Sequence, residues 1–208
     1  MFAVGHLALG YLTGKASSKL LKVNINIPLV LTLSILPDID LLLTPMLQHG
    51  GPTHSIILYL AIAIPAILVW KKRTIPYLAA LASHPLLGDF LTRASRAEGV
   101  QLLFPLTSSW FSAGSEALRL TYVYIELAMF IAFLTFMLTT RDITTLTKPH
   151  PSNLTLAIPI STALLPVFTQ FPMPIPPELV IPHLILIILL ALPILKDIDH
   201  IIPRHRLS

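Results

Sequence analysis

The sequence predicts an all-α polytopic transmembrane helical bundle of about seven spans, within a range of six to eight. It reads as a single membrane domain over residues 1–208. Three observations carry that expectation. Of the 208 residues, 54% are hydrophobic and 12% charged, against the ~25% charged residues of soluble domains. The mean hydropathy is +0.79. The apolar residues also fall in blocks bounded by charge or by proline and polar clusters, and several blocks are long enough to cross a hydrocarbon core.

The predicted spans are 2–21, 25–37, 54–70, 75–92, 119–139, 153–171 and 178–195. In the first, Gly5, His6, Gly10, Thr13, Gly14 and Lys15 interrupt the apolar run, so it reads as mature protein rather than a cleaved signal peptide. The second, from Ile25 to Pro37, is a half-span or a full span whose ends run into polar boundaries; Pro28 is tolerable near its start. The third runs from Ser55 to Trp70 without a charge and ends in Lys71-Lys72-Arg73. The fourth carries His84 and Asp89 in one half. The fifth runs from Leu120 to Thr140 with one acid inside, Glu126, a candidate for proton transfer or for support of the site. Pro159, Pro166, Pro182 and Pro193 kink the last two, which membranes allow when neighbours satisfy the backbone.

The cations set the orientation. Lys15, Lys19 and Lys22, Lys71-Lys72-Arg73, Arg141 and Lys148, and Lys196, Arg204 and Arg206 fall on one side of a seven-span chain. Cytoplasmic loops carry such an excess, so the N-terminus is expected outside and the C-terminus in the cytoplasm. Arg93, Arg96 and Arg119 lie on the other side, against that rule. The formal charge of +4 therefore reads as membrane orientation, and no nucleic-acid module is expected. The absence of cysteine excludes disulfides and thiolate ligands, so any metal must be held by nitrogen and oxygen.

Four of the eight histidines and three aspartates lie between positions 6 and 89. They occur as Gly5-His6, Leu36-Pro37-Asp38-Ile39-Asp40, His49-Gly50-Gly51-Pro52-Thr53-His54-Ser55, and His84-Pro85-Leu86-Leu87-Gly88-Asp89. On the seven-span topology all seven candidates, His6, Asp38, Asp40, His49, His54, His84 and Asp89, reach the outer face. Imidazole and carboxylate suit zinc first, with manganese or iron as alternatives, and this many ligands can hold more than one ion. Such a site points to hydrolysis, with Asp38, Asp40, His54, His84 and Asp89 as the catalytic set and Arg93, Arg96 and Arg119 as phosphate contacts. The competing class is a metal or proton transporter. One spacing resists the reading: His84 and Asp89 are five apart, which on a regular α-helix separates them by about 140°.

At these words the sequence resembles the YdjM-type family of membrane-bound metal-dependent hydrolases, over residues 1–105. The resemblance rests on the N-terminal histidine, Leu-Pro-Asp-Ile-Asp at 36–40, His49 with Thr53-His54-Ser55, His84 with Asp89-Phe90-Leu91-Thr92, and Gly99 through Leu103 to Pro105. Gly50 stands where the family usually has arginine, and several residues are inserted between Thr92 and Gly99, so Arg93 or Arg96 could replace the missing cation. The resemblance implies a hydrolase related in site chemistry to zinc-dependent phospholipase C. Residues 1–105 are then the metal-site half, 119–208 the helical scaffold, and membrane lipid both environment and expected substrate. Lys196-Asp197-Ile198-Asp199-His200 echoes the Asp-Ile-Asp word but falls on the opposite face, so it is expected to stand apart from the site.

Overall fold

Each apolar segment folds as helix, and the regularity of each helix follows its composition. The computed structural model describes residues 1–93, 99–170 and 172–201. Helix α1 (Ala3–Leu21) stops where Lys22 turns left-handed and its N–H returns to Lys19 and Ser18. Asn26 caps α2 (Ile27–Ile35) by accepting the N–H of Leu29 at 3.0 Å, with Pro28 in the first turn, where no donor is needed. A 3₁₀ turn at Leu36–Asp38 leads into the short α3 (Ile39–Leu42). Ser55 caps α4 (Ile56–Trp70) through Leu58 N–H. Helix α5 (Ile75–Ser83) widens into a π-helical stretch at His84–Asp89 and closes with α6 (Phe90–Thr92). Beyond the loop come α7 (Arg119–Thr139), α8 (Asp142–Leu146), α9 (Ala157–Thr169) after a 3₁₀ turn at Pro151–Leu156, and α10 (Pro177–Ile201).

Among the described residues, three helical stretches, Glu116–Thr139, Pro151–Thr169 and Pro177–Ile198, are long and apolar enough to cross a membrane. Their outward faces are hydrophobic, with Leu120 68%, Ile131 57% and Ile188 59% exposed. The other expected spans fall short of that standard for separate reasons. Helix α1 has 19 residues but carries His6, Lys15 and Lys19. Helix α4 is apolar throughout, yet its 15 residues reach only ~22 Å at 1.5 Å per residue. Helices α2 and α5 run nine residues each before the backbone changes geometry.

Helix α1 is the centre of the bundle and packs against α2, α5 and α7. The core joins Val4, Leu7, Ala8 and Tyr11 of α1 to Leu31 and Ile35 of α2, Phe130, Phe133 and Met137 of α7, and Leu186 and Leu190 of α10. In lipid such packing stabilises through close contact rather than through exclusion of water. Gly10 makes it possible, since a Cβ there would lie 2.0 Å from Ser34 Cβ. A polar tie reinforces it: Tyr11 donates to Asp142 Oδ2 at 2.7 Å, and Lys15 pairs with the same oxygen. At one end, Asn26 donates to Ser152 Oγ and to Tyr77 Oη, joining the starts of α2, α5 and the Pro151 turn. The opposite end holds the candidate site.

Candidate metal centre

Four elements deliver the ligands because each starts or stops at that end. His6 lies in the first turn of α1, Asp38 and Asp40 follow α2, His54 precedes α4, and His84 and Asp89 bracket the π-helical stretch. The five-residue spacing finds its answer there. In a π turn the carbonyl of one residue accepts from the fifth residue along, so positions five apart come onto one face. Phe90 N–H bonds to Pro85 O in this way. Pro85 causes the widening, since it lacks the N–H that an α-helix would return to the preceding turn. Gly88 makes room for α1: a Cβ there would sit 2.6 Å from His6 Cε1.

Ligand atoms of Asp38, His54, His84 and Asp89, all four buried, lie within 4.8 Å of one another. The proton positions on the rings are fixed by the outer partners. His84 Nδ1 faces Ser34 O at 2.8 Å, and a carbonyl only accepts, so Nδ1 carries the proton. Thr53 Oγ1 donates to Asp40 Oδ2 at 2.8 Å and is left to accept from His54 Nδ1 at 3.1 Å. Both Nε2 atoms therefore point inward, and where the rings are neutral they present lone pairs there. His84 Nε2 lies 3.1 Å from Asp38 Oδ1, and His54 Nε2 lies 3.1 Å from Asp89 Oδ2. Such lone pairs facing carboxylates repel unless a cation, a proton or a metal ion, lies between them, and among the described residues His54 Nε2 is buried without a hydrogen-bond partner. The donor set, two imidazole nitrogens and two carboxylate oxygens, fits a divalent transition ion.

The other three candidates surround this quartet. Asp40 accepts from Gly50 N at 3.0 Å, Thr53 and His49 Nδ1 at 3.0 Å, and lies 3.3 Å from His54 Nδ1. Burial raises the affinity of Asp40 for a proton, but the hydrogen bonds from His49 and His54 outweigh it and hold the carboxyl below its ordinary range. Asp40, His49 and His54 form a second group close enough to hold an ion, once the protons on His49 Nδ1 and His54 Nδ1 have left. His49 is engaged at both nitrogens, with Nδ1 on Asp40 and Nε2 receiving Arg93. His6 stacks on His84, ring centroids 3.5 Å apart, and its Nε2 lies 3.3 Å from Asp89 Oδ1. All seven candidates thus gather at one place.

Arg93 pairs with Asp89 Oδ2 at 3.0 Å and stands at the mouth of the site. A cavity of about 840 Å³ opens beside it, lined by Asp38, His49, Arg93, Arg119 and Glu126 together with apolar Leu41, Val123, Pro166 and Met173. Arg119 is well exposed and pairs with Glu116 at 3.3 Å. Arg96 and Glu98 lie outside the described residues, as do His205 and the arginines at 204 and 206. Glu126 accepts the Phe2 N–H at 3.0 Å, so the acid of α7 reaches the site wall. Two further groups lie away from the quartet. His183 lies 3.1 Å from Ala163 O between α9 and α10, and Asp197 accepts the His150 N–H at the far end, away from the quartet.

The sequence places Thr53 in a motif without giving it a role, and does not single out Tyr59 or the Ser34 carbonyl. Thr53 orients both Asp40 and His54, and Tyr59 Oη donates to Thr53 O. Adjacency to His54 is a signal for Thr53; a backbone carbonyl leaves none.

Neither a curated protein nor a solved structure matches the chain. Residues 1–169 match the family described as YdjM inner membrane protein. That match runs past the histidine and aspartate words at 6–89, through α7 and α9, so the helices that wall the cavity are included with the ligands. With that much of its length matched, the chain belongs to the YdjM inner membrane protein family.

Proposed function

We propose that this protein is an integral membrane metal-dependent hydrolase of seven helical passes that cleaves a phosphoester of a lipid. The observation that carries the reading is the pair of inward-facing Nε2 atoms, on His54 and His84, set against two buried carboxylates. Asp38, His54, His84 and Asp89 would hold the ion, with zinc suited to this nitrogen and oxygen set. A divalent ion supplies hydroxide near neutral pH and polarises a phosphoryl oxygen. Asp40, by accepting a hydrogen bond from the Thr53 hydroxyl, leaves that oxygen to hold His54 in one tautomer and one orientation, the role an outer carboxylate plays for a metal-bound imidazole.

Asp38 is the member of the quartet that also lines the cavity, so its carboxylate is placed to take a proton from the nucleophile. Arg93 and Arg119 face the same space and match phosphate oxygens. Leu41, Val123, Pro166 and Met173 offer the apolar wall that an acyl chain needs. On the charge rule this end lies outside, with the C-terminus in the cytoplasm. Transport through the bundle would need a path past Leu7, Leu31 and Ile35, fully buried further along the same helices.

Metal analysis of the purified protein, with phosphodiesterase assays on a chromogenic diester and on phospholipids, tests the reading. Wild type should carry stoichiometric metal and turn over at least one ester, and Asp38→Ala and His84→Ala should lose both. Bound metal without turnover on any ester would remove the enzyme reading, and absence of bound metal would remove the site itself. A cysteine placed at Ser108 that labels only from the cytoplasm would reverse the orientation.

A further inference from the structure

At the end of the bundle away from the metal centre, a notch of about 390 Å³ is lined by Lys22, Val23, Asn24, Lys72 and Arg73. It lies between the turn that joins α1 to α2 and the turn that joins α4 to α5. The neighbouring cations of α1 are each accounted for. Lys15 pairs with Asp142, and Lys19 sits 5.7 Å over the ring of Phe136. Lys22, by contrast, shares the notch with two more cations and no acid, and among the described residues none of the three has an ion-pair partner. Three like charges around one cleft repel each other until an anion enters it.

The surroundings identify the anion. Leu20, Leu68, Val69 and Trp70, immediately before the cations in the chain, are 83%, 76%, 67% and 61% exposed. Asn26 ties this end to Ser152, at the start of the Pro151–Thr169 stretch that is apolar enough to cross a membrane. The notch therefore stands level with the end of a span, where headgroups lie, with an apolar strip next to it and a tryptophan at the boundary. We infer that the notch binds the phosphate headgroup of an anionic phospholipid, with the acyl chains along Leu68–Trp70. Basic pockets between helices at a membrane surface bind such headgroups. A free phosphate shares the charge but would make no use of the apolar strip.

Trp70 reports on the site directly. In full-length Trp110→Phe protein it is the one tryptophan left. Reconstituted into phosphatidylcholine, this protein should be quenched several-fold more by brominated phosphatidylglycerol than by the same fraction of brominated phosphatidylcholine. Lys22→Gln and Lys72→Gln should each reduce that preference roughly fivefold, the enrichment one surface cation gives, while Lys22→Arg should retain it. Circular dichroism and gel filtration identify variants that keep the fold, and the arginine variant tests the charge if a glutamine variant does not. Equal quenching by the two lipids, or a preference unchanged in the folded glutamine variants, overturns the inference. So does loss of the preference on adding millimolar inorganic phosphate, which would make the notch a site for a free anion.

Discussion

The two halves of the chain solve opposite problems. The first half supplies the candidate ligands from short and interrupted helices: nine residues in α2, nine in α5, a 3₁₀ turn after one and a π turn after the other. The second half has helices of 21 and 25 residues in α7 and α10, with outward faces of leucine and isoleucine. A regular helix satisfies its own backbone and can face lipid anywhere along its length. A site needs side chains from several elements at one point, and a straight helix aims only every third or fourth residue at a given neighbour. The interruptions at Leu36–Asp38 and His84–Asp89 re-aim the ligands at the end of each helix, and the regular second half shields the broken first half. Glu126 and Arg119 of the second half line the same cavity as Asp38, His49 and Arg93 of the first.

Removal of a ligand should separate the halves most sharply. In Asp38→Ala and His84→Ala, metal affinity should fall by more than the roughly 10–100-fold that loss of an outer partner causes. The helical content of α7–α10 should be unchanged in circular dichroism. Collapse of the whole bundle in either variant would mean that the second half does not stand by itself. Asp40→Asn should come next. It keeps the shape but removes the charge that His49, Thr53 and Gly50 surround. A decrease in metal affinity of about 10–100-fold, read by competition with a chelator, is expected for an outer carboxylate. A loss as large as that of His84→Ala would instead make Asp40 a direct ligand of the second group.

Gly88→Ala probes the packing that lets the broken half close. The new methyl would meet His6 at 2.6 Å, and overpacking of this kind costs about 1–3 kcal/mol. The displaced His6 should loosen the ring stacked on it, His84, so thermal stability and metal affinity should fall together. A drop in one without the other would dissociate the α1 contact from the site.

Much of this organisation was legible in the sequence, because hydrophobic blocks and their charged boundaries depend on residues close together in the chain. The predicted segments 2–21, 119–139 and 178–195 match α1, α7 and the body of α10 nearly residue for residue. The convergence of His6, Asp38, Asp40, His49, His54, His84 and Asp89 was also legible, since helix alternation alone brings them to one end. The division of labour among them was not. Thr53 and Ser34 decide which nitrogen of His54 and His84 faces inward, and Ser34 sits 50 residues from His84. The π turn was visible only as a conflict between the five-residue spacing and an α-helix. Lys15 reads in the sequence as an orienting charge; its tie to Asp142, which also joins Tyr11 131 residues away, leaves no local signal.

The smallest expected effect completes the comparison. Ile131 and Ile188 are 57% and 59% exposed on α7 and α10. If those faces meet lipid, Ile131→Ala and Ile188→Ala exchange one apolar contact for another, and surface substitutions of this kind stay within about 0.5 kcal/mol. Metal content and thermal unfolding in detergent should therefore match wild type, and membrane insertion should be intact. Arginine at Ile131 is the contrasting case, since at the centre of a span it costs about 2.5–3.5 kcal/mol on insertion scales. A neutral alanine beside a costly arginine is the signature of a lipid-facing wall. Equal tolerance of both would place that face in water, and the regular half would then need another reason for its length.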